Sequence, residues 1–306
     1  MARRHNKGRP VSGILLLDKP VGITSNLALQ KVKRLFNASK AGHTGSLDPL
    51  ASGLLPICLG EATKVSGYLL DADKTYLGTI KLGERTSTAD AEGEIIETRP
   101  IDNLDEARVR TVLGQFLGEQ EQVPPMHSAI KQNGQPLYKL AHQGIEVERK
   151  ARKIEIFRLE LLRMADNELE IEVHCSKGTY IRTLAEDIGE ALGCGAHLGS
   201  LRRVQTGPFD MEGAVSLSKL EDLASGEGFE ALDALLLPIE TALSDWPGVN
   251  LSEHTAYYLR QGQAVQVPRA PASGWVKLFI GEKQFVGIGQ IQPDGRVAPK
   301  RLINTA

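Results

Sequence analysis

The chain has 306 residues, of which 41% are hydrophobic and 24% charged, and its formal net charge is −2. This composition is typical of a folded globular protein, and no apolar run approaches the roughly 20 residues that a membrane helix needs, which argues against a membrane protein. We therefore expect a soluble, cytoplasmic protein, and at about 100 to 200 residues per domain its length predicts two domains.

The N-terminal part is predicted to begin with a short buried strand over residues 13–17. Ser25 is then predicted to cap a helix, because apolar side chains follow it at helical spacing, namely Leu29, Val32, Leu35 and Phe36. Residues 61–70 have the pattern of another short helix. Residues 75–82 and 93–97 have strand patterns, and an amphipathic helix follows with the apolar positions Val109, Val112, Leu113 and Phe116.

The clearest strand covers residues 168–175, where apolar and polar side chains alternate so that one face is buried and the other is wet. A helix follows, with the apolar positions Ile181, Leu184, Ile188 and Leu192. Strands and helices interleave without a regular β-α-β rhythm. The pattern therefore predicts an α+β domain with a mixed, largely antiparallel sheet and flanking helices.

The C-terminal part is predicted to be a separate small domain. A helix-like segment after residue 250 is followed by short strand patterns, which indicate a small β-barrel. The acidic, glycine-containing residues 218–230 and residues 246–248 are the candidate linkers. These features predict a larger domain over residues 1–245 and a smaller one over residues 250–306.

Charge is distributed unevenly along the chain. Residues 1–45 carry nine Lys and Arg against one acid, residues 122–153 carry six against two, and residues 247–306 carry seven against three. Residues 210–245 hold nine carboxylates and one Lys. Such segregation allows a basic surface for nucleic acid on a slightly acidic protein. The alternative is that these charged side chains are only solvated surface residues that cluster by chance and bind no nucleic acid.

Residues 122–153 also differ from their surroundings in composition. They contain Pro124, Pro125 and Pro136, and they end in the basic sequence RKARK. A long surface hairpin is the simplest structure for such a stretch.

Asp48 lies in the sequence AGHTGSLDPL, among residues with small side chains. Gly42, Gly45 and Ser46 leave little bulk near the carboxylate, and Pro49 fixes the backbone just after it. A flat substrate could therefore approach a lone reactive carboxylate here. The alternative from local sequence is that Asp48 only closes an Asx-type turn before Pro49.

Three blocks of the sequence resemble the TruB family of RNA pseudouridine synthases. They are GILLLDKPVGITS at residues 13–25, AGHTGSLDPLASGLLPICLGEATK at residues 41–64 and SKGTYIRTLAEDIG at residues 176–189. The resemblance covers nearly the whole chain, and only Ser46 and Ser52 depart from the residues expected in these blocks. It implies the pseudouridine synthase fold, a C-terminal PUA-like RNA-binding domain, and an insertion over residues 122–153 that closes over RNA.

The resemblance implies that uridine is isomerised to pseudouridine at position 55 in the T arm of tRNA. The bond from ribose C1′ to N1 breaks, the base rotates, and C5 joins the same carbon. Because the base is retained, one carboxylate is sufficient where glycosidases need two. By resemblance that carboxylate is Asp48, acting as a nucleophile on the ribose or as a base that starts a glycal route. Base flipping is required, because an enzyme cannot reach both C1′ and C5 while the base remains stacked.

The resemblance also implies roles for other residues of the site. Arg182 is expected to pair with Asp48, orienting the carboxylate and keeping it charged. Tyr76 is expected to stack on the uracil and is a candidate base for the C5 proton. Tyr180 would supply a second hydroxyl near Asp48 and Arg182.

Further residues are expected to contact RNA. His43 would occupy the space that the flipped base leaves in the stack. Lys64 would either contact the RNA backbone or support the protein loop in which it lies. Leu201 completes the predicted RNA-binding set. Lys19 is expected to be structural. The basic N-terminal segment, the insertion and the C-terminal domain would form the wider RNA surface.

Two other functions compete with a standalone tRNA-modifying enzyme. A guide-dependent synthase of the dyskerin type would not act alone on a bare T-arm transcript, and a tRNA-binding RNA chaperone would not require Asp48. We expect tRNA as the partner, no obligatory protein partner and a monomer. No nucleotide-binding motif or metal-ligand cluster appears, and the widely spaced Cys58, Cys175 and Cys194 read as reduced core residues, so no cofactor is predicted.

Overall fold

The computed structural model describes residues 8–102, 104–132, 134–141, 143–281 and 283–304. The predicted basic N-terminal RNA contact lies partly outside the described residues, at Arg3, Arg4 and Lys7. In chain order the strands are β1 (Gly13–Lys19), β2 (Ala41–His43), β3 (Ala51–Leu59), β4 (Lys74–Leu82), β5 (Glu84–Thr86), β6 (Ile95–Thr98), β7 (Gly118–Gln122), β8 (Lys131–Gln132), β9 (Gln135–Pro136), β10 (Arg152–Ala165), β11 (Glu168–Cys175), β12 (Ala196–Thr206), β13 (Val215–Ser216), β14 (Gly248–Leu251), β15 (Gly274–Ile280), β16 (Gln284–Ile291) and β17 (Val297–Leu302). The α-helices are α1 (Ser25–Leu35), α2 (Ser66–Asp71), α3 (Glu106–Gly114), α4 (Leu137–Ala141), α5 (Ile181–Leu192), α6 (Leu217–Gly226), α7 (Gly228–Asp233) and α8 (Glu253–Arg260).

A nine-stranded mixed sheet forms the centre of the larger domain. Its strand order is β13-β1-β3-β12-β4-β11-β10-β7, and β2 pairs with β3 off this path. The β1–β13 and β3–β12 pairings are parallel, and the other neighbours are antiparallel. The predicted α+β class with a mixed, largely antiparallel sheet is confirmed.

Strand β1 is covered on both faces. Leu15 and Leu17 belong to a core that they share with α1, α3, α5 and α6, whereas Ile14 and Leu16 belong to a second core. Successive side chains of a strand point to opposite faces of the sheet, so the continuous apolar run of β1 fills both cores. Strand β1 therefore ties the two faces of the sheet together.

Two local predictions in the N-terminal part were wrong. The N-cap of α1 is Thr24, whose side chain accepts a hydrogen bond from the backbone N–H of Leu27, while Ser25 is the first helical residue. Ser25 is buried and its hydroxyl bonds to Leu47 instead. Residues 61–70 do not form one helix, because a 3₁₀ turn over Gly60–Lys64 precedes the separate helix α2.

The prediction that the acidic stretch 218–230 is a linker was wrong. These residues contribute to helices α6 and α7. Ser216 caps α6 by accepting a hydrogen bond from the backbone N–H of Lys219. Leu220 and Leu223 are buried in the core that α1 also lines. The acidic side chains stay on the outside, so a charged composition coexists here with an amphipathic helix.

The C-terminal domain is a four-stranded sheet in the order β14-β15-β16-β17, and not the predicted closed barrel within the described residues. The outer strands β14 and β17 pair with inner strands only, and a single bridge joins Val265 to Val297. Phe285 and Ile288 of β16 pack in the second core with residues of β1 and β3. The sheet thus shares a core with the larger domain, and the boundary between residues 245 and 250 stays a prediction.

The three cysteines are free and buried, as predicted. Burial raises the pKa of the Cys58 and Cys175 thiols to about 12. In the part of the chain that the structure describes, no helix is both long and apolar enough to cross a membrane.

The shared core predicts that Ile288→Ala destabilises the whole protein. Ile288 is fully buried, so the substitution should lower the free energy of unfolding by about 2–5 kcal/mol, from lost burial and the cavity left behind. Ile95, which is 59% exposed, is the matched control, and Ile95→Ala should stay within about 0.5 kcal/mol. Urea denaturation measures both, and equal stability of the two variants would contradict the shared core.

Candidate active site

Asp48 lies in the turn between β2 and β3, and the turn is fixed from two sides. The Ser25 hydroxyl, buried at the start of α1, donates to the carbonyl of Leu47 at 3.0 Å and accepts from its N–H at 2.7 Å. The backbone carbonyl of Asp48 accepts a hydrogen bond from the N–H of Ala51 at 3.1 Å. The backbone therefore closes the turn, which leaves the Asp48 carboxylate available for other partners.

The Asp48 carboxylate pairs with Arg182, as the sequence predicts. The distance from Arg182 Nη2 to Asp48 Oδ2 is 3.0 Å, and Nη1 lies 3.3 Å from Oδ2 of Asp90. The same guanidinium donates to the carbonyl of His127 at 2.8 Å and to that of Thr88 at 3.4 Å. Arg182 is buried, whereas the Asp48 side chain is 44% exposed. The ion pair thus presents its carboxylate at an accessible surface.

Asp90 is a member of the site that the sequence analysis missed. It is buried, accepts hydrogen bonds from the Thr88 hydroxyl and the Glu92 N–H, and shares Arg182 with Asp48. Its local sequence, STADAEGE, has the composition of an ordinary turn. Its role becomes visible only in the fold, where the buried guanidinium of Arg182 needs more than one anionic or carbonyl partner.

The surroundings of Asp48 favour its neutral form more than water does. Desolvation raises the pKa of Asp48, the Arg182 charge acts against that rise, and Asp90 adds to it. Lys19 also opposes the rise, although burial lowers its own pKa to about 8. Its ammonium donates to the carbonyls of Pro20 and Ile23, both at 2.7 Å, which agrees with the structural role expected for it.

A cavity of about 320 Å³ opens beside Asp48, and predicted residues from three other elements line it. Tyr76 comes from β4 and Leu201 from the neighbouring strand β12. Tyr180 is the N-cap of α5, and Arg182 is the second residue of that helix. The volume of the cavity lies at the small end of the range for ligand sites. Five of the seven predicted site residues therefore meet at one cavity, while their roles stay predictions.

Tyr76 packs against a buried arginine that the sequence analysis also missed. Arg203 faces Tyr76 across the β4–β12 pairing and lines the same cavity. Its Nε donates to the carbonyl of Leu54 at 2.8 Å and its Nη2 to that of Gly45 at 3.2 Å. Desolvation raises the pKa of the Tyr76 hydroxyl, and Arg203 counteracts this. Strand alternation in LRRV was the available signal, since of two adjacent arginines one must face inward.

Tyr180 has a hydroxyl close to the insertion. Desolvation is the largest influence on this hydroxyl and raises its pKa. Ser128 and His127 belong to the predicted insertion and line the cavity with Tyr180. The insertion therefore forms one wall of the site.

His43 lies at a second cavity of about 710 Å³, which Asp48 also lines. It ends β2, where it pairs with Ile57, and its Nδ1 is buried without a hydrogen-bond partner. Desolvation, followed by the Arg203 charge, lowers the pKa of the imidazole. Asp48 and Arg182 line both cavities, so the ion pair is shared between the cavity of His43 and that of Tyr76.

Lys64 is not part of this constellation. Its ammonium lies 2.5 Å from Oε2 of Glu61 and donates to the carbonyl of Leu302 at 2.8 Å. Glu61 also accepts a hydrogen bond from the N–H of Asn304. Lys64 therefore connects the larger domain to the C-terminal sheet, and both of its predicted roles stay predictions.

Among the described residues, no group of three or more His, Cys, Asp or Glu side chains could hold a metal ion. The prediction that no cofactor is needed stays a prediction.

Two solved structures of complexes resemble the chain. One is a Cbf5-Nop10-Gar1 complex, with a TM-score of 0.74 and 28% identity over 95% of this chain and 84% of that chain. The other is an H/ACA RNP bound to a substrate RNA containing 2′-deoxyuridine, with a TM-score of 0.73 and 25% identity over 99% of this chain and 92% of that chain.

Sequence relatives are more similar. A protein named tRNA pseudouridine synthase B from Nitrosococcus oceani is 60% identical over 98% of this chain and 97% of its own length. A protein of the same name from Stutzerimonas stutzeri is 56% identical over 100% of this chain and 100% of its own length. The family model for the N-terminal domain of TruB family pseudouridylate synthases matches residues 33–181, and two TruB C-terminal models match residues 182–244 and 247–303. The chain therefore belongs to the TruB family of pseudouridylate synthases.

Proposed function

We propose that this protein isomerises uridine to pseudouridine at position 55 in the T arm of tRNA, acting in the cytoplasm without a guide RNA. The names of the relatives that are 53–60% identical support tRNA as the substrate class. The complexes described as Cbf5-Nop10-Gar1 and H/ACA RNP are only 28% and 25% identical, which favours the standalone enzyme over a guide-dependent one.

One observation carries the proposal: the half-exposed carboxylate of Asp48 is held by buried Arg182 at the mouth of a cavity of about 320 Å³. A uracil turned out of the RNA stack would occupy this cavity, with its ribose at Asp48. Flipping costs a few kcal/mol, which contacts inside the cavity offset. Tyr76 and Leu201 line it from neighbouring strands and would enclose the base from one side.

The reaction rearranges bonds within one nucleotide. Asp48 acts at the ribose, as a nucleophile at C1′ or as the base of a glycal route, and the C1′–N1 bond breaks with its electrons passing to the uracil. The freed base turns so that C5 bonds to C1′. On the nucleophilic route this step breaks the Asp48–C1′ ester and frees the carboxylate, and on the glycal route Asp48 returns to C2′ the proton that it had removed. The C5 proton is then removed, N1 gains a proton, and the atoms of the nucleotide balance. Tyr76 is our candidate base for the C5 proton, since it lines the same cavity and carries a titratable hydroxyl.

Asp48 must be ionised for either route, and Arg182 serves this requirement. Its two N–H groups hold the carboxylate and Asp90 in fixed directions, so that the reacting oxygen needs no reorganisation when charge develops. His43, at the second cavity, would occupy the space vacated by the flipped base. Tyr180 would contact the substrate through its hydroxyl from the insertion side.

The wider RNA surface combines the insertion with the C-terminal sheet. Lys131 and Lys150 are exposed on the insertion, and Tyr257 is exposed on α8 of the C-terminal domain. Basic side chains neutralise phosphates, and an exposed aromatic ring can stack on a base. We expect a monomer to bind one T arm across these elements.

The first prediction concerns the carboxylate itself. Asp48→Asn should reduce pseudouridine formation in a tRNA transcript by at least about 10²- to 10⁴-fold, because the amide cannot act as a nucleophile or a base. Its affinity for tRNA should stay within about twofold, because the amide keeps the shape of the side chain and only one charge is lost. Single-turnover assays and filter binding measure the two quantities. Asp71→Asn, which removes another exposed ion pair, is the control and should keep full activity. Appreciable turnover by Asp48→Asn would refute the proposal.

The second prediction follows from the pKa of Asp48, which desolvation raises and Arg182 lowers. The carboxylate is lost as the pH falls through this raised pKa, so the midpoint should lie above the ordinary 3.8. In Arg182→Met the midpoint should move higher still, because the opposing cation is gone. The ¹³C chemical shift of the Asp48 carboxyl carbon, assigned with Asp48→Asn, reports the titration. A midpoint that falls in Arg182→Met would contradict the electrostatic account.

The third prediction tests the insertion as an RNA contact. The double substitution of Lys131 and Lys150 by Ala should reduce the slope of log affinity against log salt concentration by about 2, one unit for each phosphate contact. The single-turnover rate at saturating enzyme should not change, because neither side chain lines the 320 Å³ cavity. Arg158 and Arg163, exposed on β10, provide a control pair. Equal slopes for both double variants would remove these lysines from the RNA surface.

A further inference from the structure

Gln122 makes two hydrogen bonds to the backbone of Tyr180, the N-cap residue of α5. Its Nε2 donates to the carbonyl of Tyr180 at 3.0 Å, and its Oε1 accepts from the N–H of Tyr180 at 2.8 Å. Gln122 is 5% exposed, so its amide is out of reach of bulk water. Both polar groups of a buried side chain are thus directed at the backbone of one residue.

The helix start needs this support. Tyr180 is the N-cap of α5 and makes no side-chain capping bond of its own. The N-terminal N–H groups of a helix lack partners inside the helix, and a buried N–H without a partner is costly. Gln122 supplies that partner for Tyr180, whose carbonyl also accepts the helical bond from the N–H of Leu184. The amide therefore fixes the height and direction at which α5 begins.

Arg182 is the second residue of α5, so a shift of the helix start moves it directly. Its guanidinium bonds at once to Asp48, to Asp90 and to the carbonyl of His127. These distances of 2.8–3.3 Å leave little room for displacement. The position of Arg182, and through it that of the Asp48 carboxylate, depends on how the helix start is held.

Gln122 is also the first residue of the insertion, at its base where the chain leaves the central sheet. It is the last residue of β7, where it pairs with Arg152 of β10, the strand by which the chain returns from the insertion. The insertion also supplies the His127 carbonyl to Arg182, and its Ser128 lines the same cavity as Tyr180. The segment that would contact RNA and the helix that carries Arg182 therefore meet at one amide.

We propose that Gln122 is a positioning residue of the active site, which holds Arg182 and Tyr180 in register with Asp48 by fixing the start of α5 to the base of the insertion. Gln122 touches neither the cavity nor a substrate; it acts through Tyr180 and Arg182. The catalytic part of this inference rests on the proposed function, whereas the positional part concerns the folded protein alone.

The test compares Gln122→Met with Gln120→Met. Methionine keeps the length of the side chain and removes both hydrogen bonds. Gln120 lies on the same strand, but its Nε2 donates to the carbonyl of Phe116, away from α5. Gln122→Asn is a milder second variant, because it keeps the amide but is one methylene too short to reach both groups of Tyr180. If Gln122→Met does not fold, Gln122→Asn replaces it in both measurements.

Two readouts separate positioning from a general loss of structure. The titration of the Asp48 carboxyl carbon should move to higher pH in the Gln122 variants, because Arg182 opposes the raised pKa of Asp48 less well when displaced. Pseudouridine formation at saturating enzyme should fall by about 10- to 100-fold, the cost of a misplacement near 1 Å, while tRNA affinity stays near wild type. Gln120→Met should match the wild type in both.

Either of two results would overturn the inference: an Asp48 titration in the Gln122 variants that coincides with the wild type, or single-turnover rates equal to those of Gln120→Met. The titration does not require activity, so it decides the positional role even if the wild type makes no pseudouridine. Absence of wild-type product would instead count against the proposed function.

Discussion

The burial of the Arg182 guanidinium is the constraint on which the site depends. An arginine keeps its charge at any relevant pH, so a buried one must be surrounded by acceptors. Here Asp48, Asp90 and the carbonyls of Thr88 and His127 provide them. These acceptors come from the β2–β3 turn, the segment after β5 and the insertion. One cation thus fixes three distant parts of the chain around the Asp48 carboxylate.

Both partners of the ion pair are held in the same way, by a buried side chain that bonds to backbone N–H and C=O groups of one residue. Ser25 does this for Leu47, next to Asp48, and Gln122 does it for Tyr180, two residues before Arg182. Such supports keep a site in its productive geometry before substrate arrives. The ion pair is therefore oriented by the fold, and substrate binding need not create it.

Local sequence patterns predicted those features that depend on periodicity. Strand β11 covers residues 168–175 as expected, because alternation directly reports one buried face. The C-terminal barrel and the linker over residues 218–230 were wrong, since sheet closure and helix packing depend on contacts between distant segments. The Asp48–Arg182 pairing was expected from the family resemblance alone. Asp90 was missed because nothing in its neighbourhood marks a lone Asp in a polar turn until folding brings it to Arg182.

The most direct test of the account is to map the product on an unmodified tRNA transcript treated with the purified protein alone, without guide RNA, metal or cofactor. The account predicts pseudouridine at position 55 in the T arm, and none in a transcript with cytidine at that position. Product spread over other uridines, or formed only when a guide RNA is added, would contradict it.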